Sequence, residues 1–555
     1  MSKLHFTFNE KPVEFSAGQS LAAALTEAGI IAFRQTPKGE ERGLFCGMGV
    51  CQDCLLTVDD VPNTRACMTR AADGQNVKQQ VAFPVLEKAP ISPVAPAACK
   101  LEPDVAIIGG GAGGLSAAIA ARASGASVVV LDERKVGGGQ YYKQAAGHSP
   151  LDDQQHEGAE LLFLAKESGA EIIGSVEIWG AFDGPLFLAE CNGAAYIIRP
   201  KTAIIATGAY ERPVMVPGWT LPGVMTTGAA QTLWRSYRTL PGKRVAVCGS
   251  GPLNAQLALE LAKGHAEVTM LAESAPPHWC APITALKAAM ADPGLVAKGL
   301  YMLCDLKRRG VALHYRTKLQ SVERHGDQLC ARFRSESGRV TETDIDVLCM
   351  NAGFEPQNEI LRLLGADMSF DASAGHLRCQ RTHDMETSVP NIFAVGDCTG
   401  LGGAPAASIE GTIAGAAAAA RVGFRGAIDL SVESHQLARH RRFQANLWKL
   451  FDTTPRRIDS ASSDVTICRC EEINLSEVLG GLQTNPSHVG TLKRATRVGM
   501  GRCQGRYCGP VVARLVAKAT GKPLEDASYF APRVPIKPVS IASILAAEEA
   551  LKDER

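Results

Sequence analysis

Short apolar runs separated by polar turns open the chain. Residues 3–18, KLHFTFNEKPVEFSAG, read as two short strands around the turn NEKP. The period then changes: SLAAALTEAG places its apolar residues at helical spacing, with Ser20 positioned to cap the start and Gly29 just past the end. Residues 83–100, FPVLEKAPISPVAPAACK, carry four prolines and little periodicity, which predicts a linker in which Cys99 is incidental. Beyond it, DVAIIG is an apolar strand running into glycines, followed by an alanine-rich helix and a second strand, SVVVL. KRVAVCGSG and AEVTMLAE repeat that strand–helix–strand order, and AIIATG and NIFAVG are two more strands that break at glycine. SHQLARHRRFQANLWKLF predicts a polar helix rich in Arg and His. The whole pattern predicts a multidomain α/β chain.

Composition narrows the function. A length of 555 residues allows about three or four domains, each with its own core. With 46% hydrophobic and 21% charged residues the chain reads as ordinary globular protein, and a net charge of +1 gives no footprint for a nucleic acid. MSKLHFTFNE lacks the apolar core of a signal peptide, and the alanine-rich run from Gly411 to Ala420 is too short to span a bilayer. Seventeen cysteines in such a chain point to a reducing, cytoplasmic setting and to metal sites rather than disulfides.

Those cysteines cluster. CGMGVCQDC (46–54) has C-x4-C-x2-C spacing, and Cys67 follows after twelve residues. Cys46, Cys51, Cys54 and Cys67 therefore match the plant-type [2Fe–2S] ligand set, on a segment whose two strands and helix suit a β-grasp ferredoxin. Zinc knuckles favour two CxxC-like pairs, and only one short pair occurs here. Near the other end, Cys468 and Cys470 form C-x-C and Cys503 and Cys508 form C-x4-C, with a helical stretch between. Two irons bridged by sulfide, or one zinc, are both chemically open for that quartet. Its order resembles the bacterioferritin-associated-ferredoxin type of [2Fe–2S] domain.

Gly109, Gly111 and Gly114 stand in G-x-G-x-x-G spacing between strand and helix, and the second strand ends in Asp132. The glycines let backbone approach a pyrophosphate, the helix start offers N–H groups, and Asp132 would accept from ribose hydroxyls, with Glu133 its close competitor. The second unit carries Gly249 and Gly251 but Asn254 where the third glycine belongs, and Glu273 is only loosely placed for a ribose. It has the fold for an adenine nucleotide (NAD or ATP), while Cys248 inside its strand reads as core. Dithiol chemistry is disfavoured, because ERKVGGGQYYKQ lacks cysteine and Cys280 stands alone.

These stretches resemble the two-dinucleotide-binding-domain, glutathione-reductase-like flavoproteins. The resemblance implies FAD, with Asp397 on the ribityl chain and a helix from near Ala406 facing the isoalloxazine; Asp397 could instead cap that helix. Together with GGQYYKQ, ATGAYERPVMVPGWTLPGVMTTGAAQ and CRCEE…KRATRVGMGRCQGRYCGP, the domain order resembles the α subunit of FAD-dependent amine and amino-acid dehydrogenases. That family includes opine oxidases, hydrogen cyanide synthase, and D-hydroxyproline or proline dehydrogenase complexes. The departure here is a plant-type ferredoxin, commonly a separate subunit, fused through the proline-rich linker. The resemblance adds Gly113, Gly139, Gln140, Thr207, Gly208 and Gly396 to the FAD site. It implies a heteromeric complex in which a D-amino-acid-oxidase-like FAD subunit oxidises the substrate. Electrons would then pass through this chain to an acceptor such as a quinone, which could draw the protein to the inner membrane face.

The implied domains are a ferredoxin-like domain (1–82), a linker (83–102), an FAD domain in two parts (103–235 and 346–425) and an intervening NAD-type domain (236–345). A helical connector (426–460), a small, mostly helical iron–sulfur domain (461–535) and a tail (536–555) complete the chain. In this order one cluster lies on either side of the flavin. No general base stands out: His278, Trp279, Tyr141 and Arg212 each have an ordinary reading as packing or surface. Lys493, Arg494 and Arg497 form a docking face or, preferably, a solvated one. A self-sufficient NAD(P)H:acceptor oxidoreductase is the competing function, and a non-catalytic scaffold the third.

Overall fold

The computed structural model describes residues 4–84, 97–424, 430–451, 462–484 and 488–552. The proline-rich stretch 85–96 lies outside them. Leu4–Phe8 and Lys11–Phe15 form an antiparallel hairpin, with Leu4 opposite Phe15, turning at Asn9 and Glu10, both at positive φ. Asn76–Gln79, Leu55–Val58 and Val61–Arg65 complete a five-stranded sheet. Helix Leu21–Glu27 starts where expected, with Ser20 accepting from the Ala23 amide, and buries Leu21 and Leu25.

Two parallel sheets follow. The first runs in the order Glu171–Ile173, Val128–Leu131, Val105–Ile108, Thr202–Ile205, Ile392–Ala394. Its three middle strands are buried at every position, as apolar four-residue runs covered on both faces must be. Helices Ala112–Ala123 and Gly403–Arg421 cross in close contact, since a side chain at Gly411 or Gly415 would run into the backbone of Gly113 or Ala117. The second sheet is ordered Val224–Thr226, Val347–Asn351, Arg244–Gly249, Glu267–Glu273, Leu313–His314. Beside it lies an antiparallel sheet of Thr317–His325, Gln328–Ser335 and Val340–Ile345. The C-terminal region pairs Thr466–Cys468 with Ile473–Asn474 and adds helices Leu475–Thr484, Val489–Thr496 and Gly509–Thr520.

Four expectations change. Within the linker range, Cys99–Leu101 is a strand parallel to Ala194–Ile198. The tail contains helix Ile541–Lys552, which buries Ala547 among Trp179, Leu188 and Ile197. The helix expected from near Ala406 begins at Gly403. Most consequentially, the two cysteine quartets, far apart in the chain, meet in one apolar core: Cys46 and Cys51 share it with Cys468, Cys503 and Cys508, and with Trp219, Tyr210 and Tyr507. No helix among the described residues is long and apolar enough to cross a membrane.

Candidate flavin and iron–sulfur site

A cavity of about 1490 Å³ runs from the first glycine loop to the second. At Gly109, φ is 110°, and a side chain would strike the Ala206 carbonyl. Gly111 differs: a Cβ there would face only Gly139 Cα, at 3.8 Å, so its surface opens onto the cavity. Helix Ala112–Ala123 starts at that point with no side-chain cap, leaving its first N–H groups for an anion. Asp132 closes the loop from behind, Oδ2 accepting from the Gly110 amide at 2.5 Å and Oδ1 from that of Arg134 at 2.6 Å. Burial raises its pKa against those two amides. Its competitor Glu133 is engaged elsewhere, with Lys537 Nζ at 2.6 Å and Arg65 Nη1 at 3.7 Å. Burial works against that charge, but Lys537 and Arg65 outweigh it and hold the carboxyl below its usual range.

Gly113 packs under the helix that starts at Gly403, while Gly139, Gln140, Thr207, Gly208 and Gly396 line the cavity. Asp397 also lines it, and its Oδ1 caps that helix, accepting from the Gly402 and Gly403 amides at 2.8 Å each. Capping and facing the cavity are therefore both present in one carboxylate. Glu410, unanticipated, fixes this segment from below. It accepts from Arg381 at 2.7 and 2.8 Å, from Arg441 at 2.8 Å and from the Gly396 amide at 2.9 Å. Burial opposes its ionisation, but Arg381 and then Arg441 overcome it and lower its pKa. Glu410→Gln should cost about 3 kcal/mol or more, as a broken buried pair does. Because the folded value is lowered, wild-type Glu410 stabilises above the unfolded value near 4.3 and loses this as pH falls below it. Acid unfolding followed by flavin fluorescence should accordingly be steeper in wild type than in the variant.

The second glycine loop opens into the same cavity. Gly251 has φ of 128°, and a Cβ there would meet only Trp448, at 3.8 Å. Asn254, in the third glycine's place, donates to the Asn351 carbonyl at 3.0 Å and accepts from Thr227 at 2.7 Å, tying helix to strand by hydrogen bonds instead of close packing. Glu273 accepts from Ser250 Oγ and the Gly251 amide, directly behind the loop. His278, Tyr315, Trp448 and Phe451 line this end.

Each cysteine quartet converges in thiol pairs. Cys46 meets Cys51 and Cys54 meets Cys67; Cys470 meets Cys503 and Cys468 meets Cys508. Burial opposes a thiolate at Cys46, but Cys51 and the amides of Met48, Val50 and Cys51 bring it down to about 7. Gly47 and Gly49, at φ of 62° and 79°, turn that loop, and Gly47 lies against Ala229 where a Cβ would collide. Cys503 is likewise lowered to about 7, by Cys470 and, against burial, by the amides of Gly505 and Tyr507. Buried sulfurs facing backbone donors fit thiolate ligands of an iron–sulfur centre in both places.

The loops around the quartets touch. Asp53, between Cys51 and Cys54, accepts from Arg34 Nη2 at 2.8 Å and from Arg469 Nε at 2.6 Å; Arg469 lies between Cys468 and Cys470. The Arg469 guanidinium stacks on Phe45 at 3.9 Å and on Trp219 at 4.7 Å, and donates to the Trp219 carbonyl. Both quartet loops also reach the cavity, through Met48 on one side and Arg506 on the other.

Of the catalytic candidates, His278, Trp279 and Tyr141 line the cavity, whereas Arg212 is buried against Glu355 at 2.8 Å. Lys493 sits over the Phe530 ring, Arg497 pairs with Glu471 at 2.8 Å and Arg494 is exposed, in keeping with a solvated face. Lys143, from GGQYYKQ, was missed. It is buried in the cavity wall, donates to the Gln140 carbonyl and Gln231 Oε1, and is lowered to about 7 by burial.

Known proteins resemble this chain in sequence and in fold. The family described as pyridine nucleotide-disulphide oxidoreductase matches residues 103–423, the 2Fe-2S iron-sulfur cluster binding domain matches 1–82, and the sarcosine oxidase A3 domain matches 471–549. An opine oxidase subunit from Rhizobium meliloti is 29% identical over 396 residues, 70% of this chain and 85% of the relative. Hydrogen cyanide synthase subunit HcnB of Pseudomonas aeruginosa is 31% identical over 357 residues, 61% of this chain and 75% of the relative. Subunit HcnA of the same organism is 36% identical over 72 residues, 13% of this chain and 69% of the relative. The solved structure of L-proline dehydrogenase from P. horikoshii shares the fold with a TM-score of 0.75 at 21% identity, covering 98% of this chain and 97% of that one. This chain belongs to the pyridine nucleotide-disulphide oxidoreductase family, as an FAD-dependent oxidoreductase with a [2Fe–2S] cluster-binding domain fused at its N-terminal end.

Proposed function

We propose that this chain is the FAD and iron–sulfur electron-transfer subunit of a heteromeric amine or amino-acid dehydrogenase of the opine, proline/hydroxyproline or glycine class. The observation that carries the reading is the meeting of three sites: Met48 and Arg506, one from each quartet loop, line the cavity that holds the first glycine loop. Bound flavin accepts two electrons and releases them singly, which suits it to one-electron iron–sulfur centres. The C–N bond would be oxidised on a D-amino-acid-oxidase-like partner, and the imine would hydrolyse in solution. Electrons would then cross this chain to an acceptor such as a quinone.

The residues divide the work. Gly109, Gly111 and Gly114 with the start of helix Ala112–Ala123 would hold the pyrophosphate, and Asp132 rather than ion-paired Glu133 the adenosine ribose. The Asp397 oxygen not used in capping would take the ribityl chain. Cys46, Cys51, Cys54 and Cys67 would ligate one [2Fe–2S] centre and Cys468, Cys470, Cys503 and Cys508 a second. Gly249, Gly251 and Glu273 would hold an adenine nucleotide, NAD or ATP, against the aromatic end of the cavity.

Anaerobic dye reduction by a panel of amines is the direct test, run with the loaded chain alone and with the partner flavoprotein. Reduction only in the mixture is expected; an equal rate from the chain alone would overturn the subunit reading. Because the second glycine loop opens into the flavin cavity, an NAD(P)H:acceptor oxidoreductase is the second reading. Rapid anaerobic bleaching of the flavin by NADH or NADPH would favour it.

A further inference from the structure

Tyr507 belongs to the Cys503–Cys508 loop, yet its ring leaves that loop for the N-terminal domain. It packs edge-on against Phe45, the residue before Cys46, with ring centroids 5.4 Å apart. Tyr210 covers it from another side at 5.7 Å. The side chain is 6% exposed, and its hydroxyl has no hydrogen-bond partner among the described residues. A buried phenol left this way is destabilising, and such groups are nearly always satisfied. The core around it contains Cys46 and Cys51 from one quartet and Cys503 and Cys508 from its own. Because the ring lies on Phe45, next in the chain to Cys46, the acceptor missing from the polypeptide is to be sought at the N-terminal quartet.

We infer that Tyr507 donates a hydrogen bond to a sulfur of the [2Fe–2S] centre held by Cys46, Cys51, Cys54 and Cys67, so that a residue of the C-terminal domain sets the potential of the N-terminal centre. The inference rests on the cluster reading of that N-terminal quartet and needs no iron at the other. Reduction adds an electron whose charge spreads onto the sulfurs, so an O–H donor there stabilises the reduced form and raises the potential. Tyr507 is thus a positioning and tuning residue, not a catalytic one. It also accounts for an aromatic at this place: Phe would fill the volume, but only Tyr supplies the proton.

The test is an EPR-monitored redox titration of the FAD- and iron-loaded chain and of Tyr507→Phe. The N-terminal signal is identified as the one lost in Cys51→Ser. In Tyr507→Phe that signal should remain, with its midpoint lowered by about 59 mV, a tenfold change for one electron. Pulsed ENDOR in D2O should show one exchangeable coupling fewer on it. An unchanged midpoint with an unchanged set of couplings overturns the inference, as does a shift confined to the C-terminal signal. Absence of any N-terminal signal in loaded wild type overturns the cluster reading itself, which separates the two failures. Should Tyr507→Phe not accumulate loaded protein, Tyr507→3-fluorotyrosine keeps the ring and hydroxyl. A fluorine coupling on the N-terminal signal then supports the contact, and its absence overturns it.

Discussion

Cys51→Ser should leave a yellow protein that keeps its FAD, loses about half of its iron and shows no N-terminal EPR signal after reduction. Cys51 is buried, and its amide already donates to Cys46 Sγ at 3.4 Å, so serine enters without moving the loop. A serine hydroxyl stays protonated where the thiol would ionise, and the centre loses one of its four ligands. The segments proposed to hold flavin, Gly109–Gly114 and Asp397, adjoin a different core, built from Val105, Ile107, Val395 and Ile413, and should be indifferent to the change. Donor-driven dye reduction should fall by more than the about 10–100-fold expected when only an outer-shell partner is removed. Iron and acid-labile sulfide analysis beside the flavin spectrum checks this. Cys468→Ser is the counterpart and should remove only the second signal. Were zinc the metal of that second quartet, iron content would be the same in wild type and Cys468→Ser.

What could be read along the chain was whatever local spacing encodes. C-x4-C-x2-C and G-x-G-x-x-G constrain loops of a few residues, and the glycine loop does run from strand Val105–Ile108 into helix Ala112–Ala123. Ser20 capping its helix is equally local. Contacts between distant segments were not legible. Asp53 and Arg469 are separated by 416 positions, and nothing near either residue announces the other. The packing of Tyr507 was equally hidden, because it depends on Phe45, far earlier in the chain. Glu410 falls on a small-residue helix whose pattern gave no reason to expect Arg381 and Arg441 beneath the flavin segment. The strand Cys99–Leu101 exists because Ala194–Ile198 offers it an edge, and helix Ile541–Lys552 because Trp179 and Leu188 leave an apolar patch to cover. Linear order placed the quartets apart; burial of Cys46, Cys51, Cys468 and Cys503 in one core puts them side by side. The two quartet loops and the first glycine loop thus meet at one junction.

That junction predicts a coupling energy. Asp53→Asn should destabilise the loaded chain by about 3–5 kcal/mol, because it leaves buried guanidinium groups short of a counter-charge. Arg34 and Arg469 both donate to Asp53, and Arg42 lies in the same buried group, 3.6 Å from Glu472. Arg469→Met keeps much of the stacking volume over Phe45 and Trp219 but removes the charge. The double variant should be less damaged than the sum of the two singles, with a coupling of about 1–3 kcal/mol in thermal or denaturant unfolding. Iron should be released from both quartets at the same denaturant concentration in wild type and at two separate concentrations in Asp53→Asn. Single-variant costs that simply add, within about 0.5 kcal/mol, would mean that the quartet loops lie beside each other without acting as one unit.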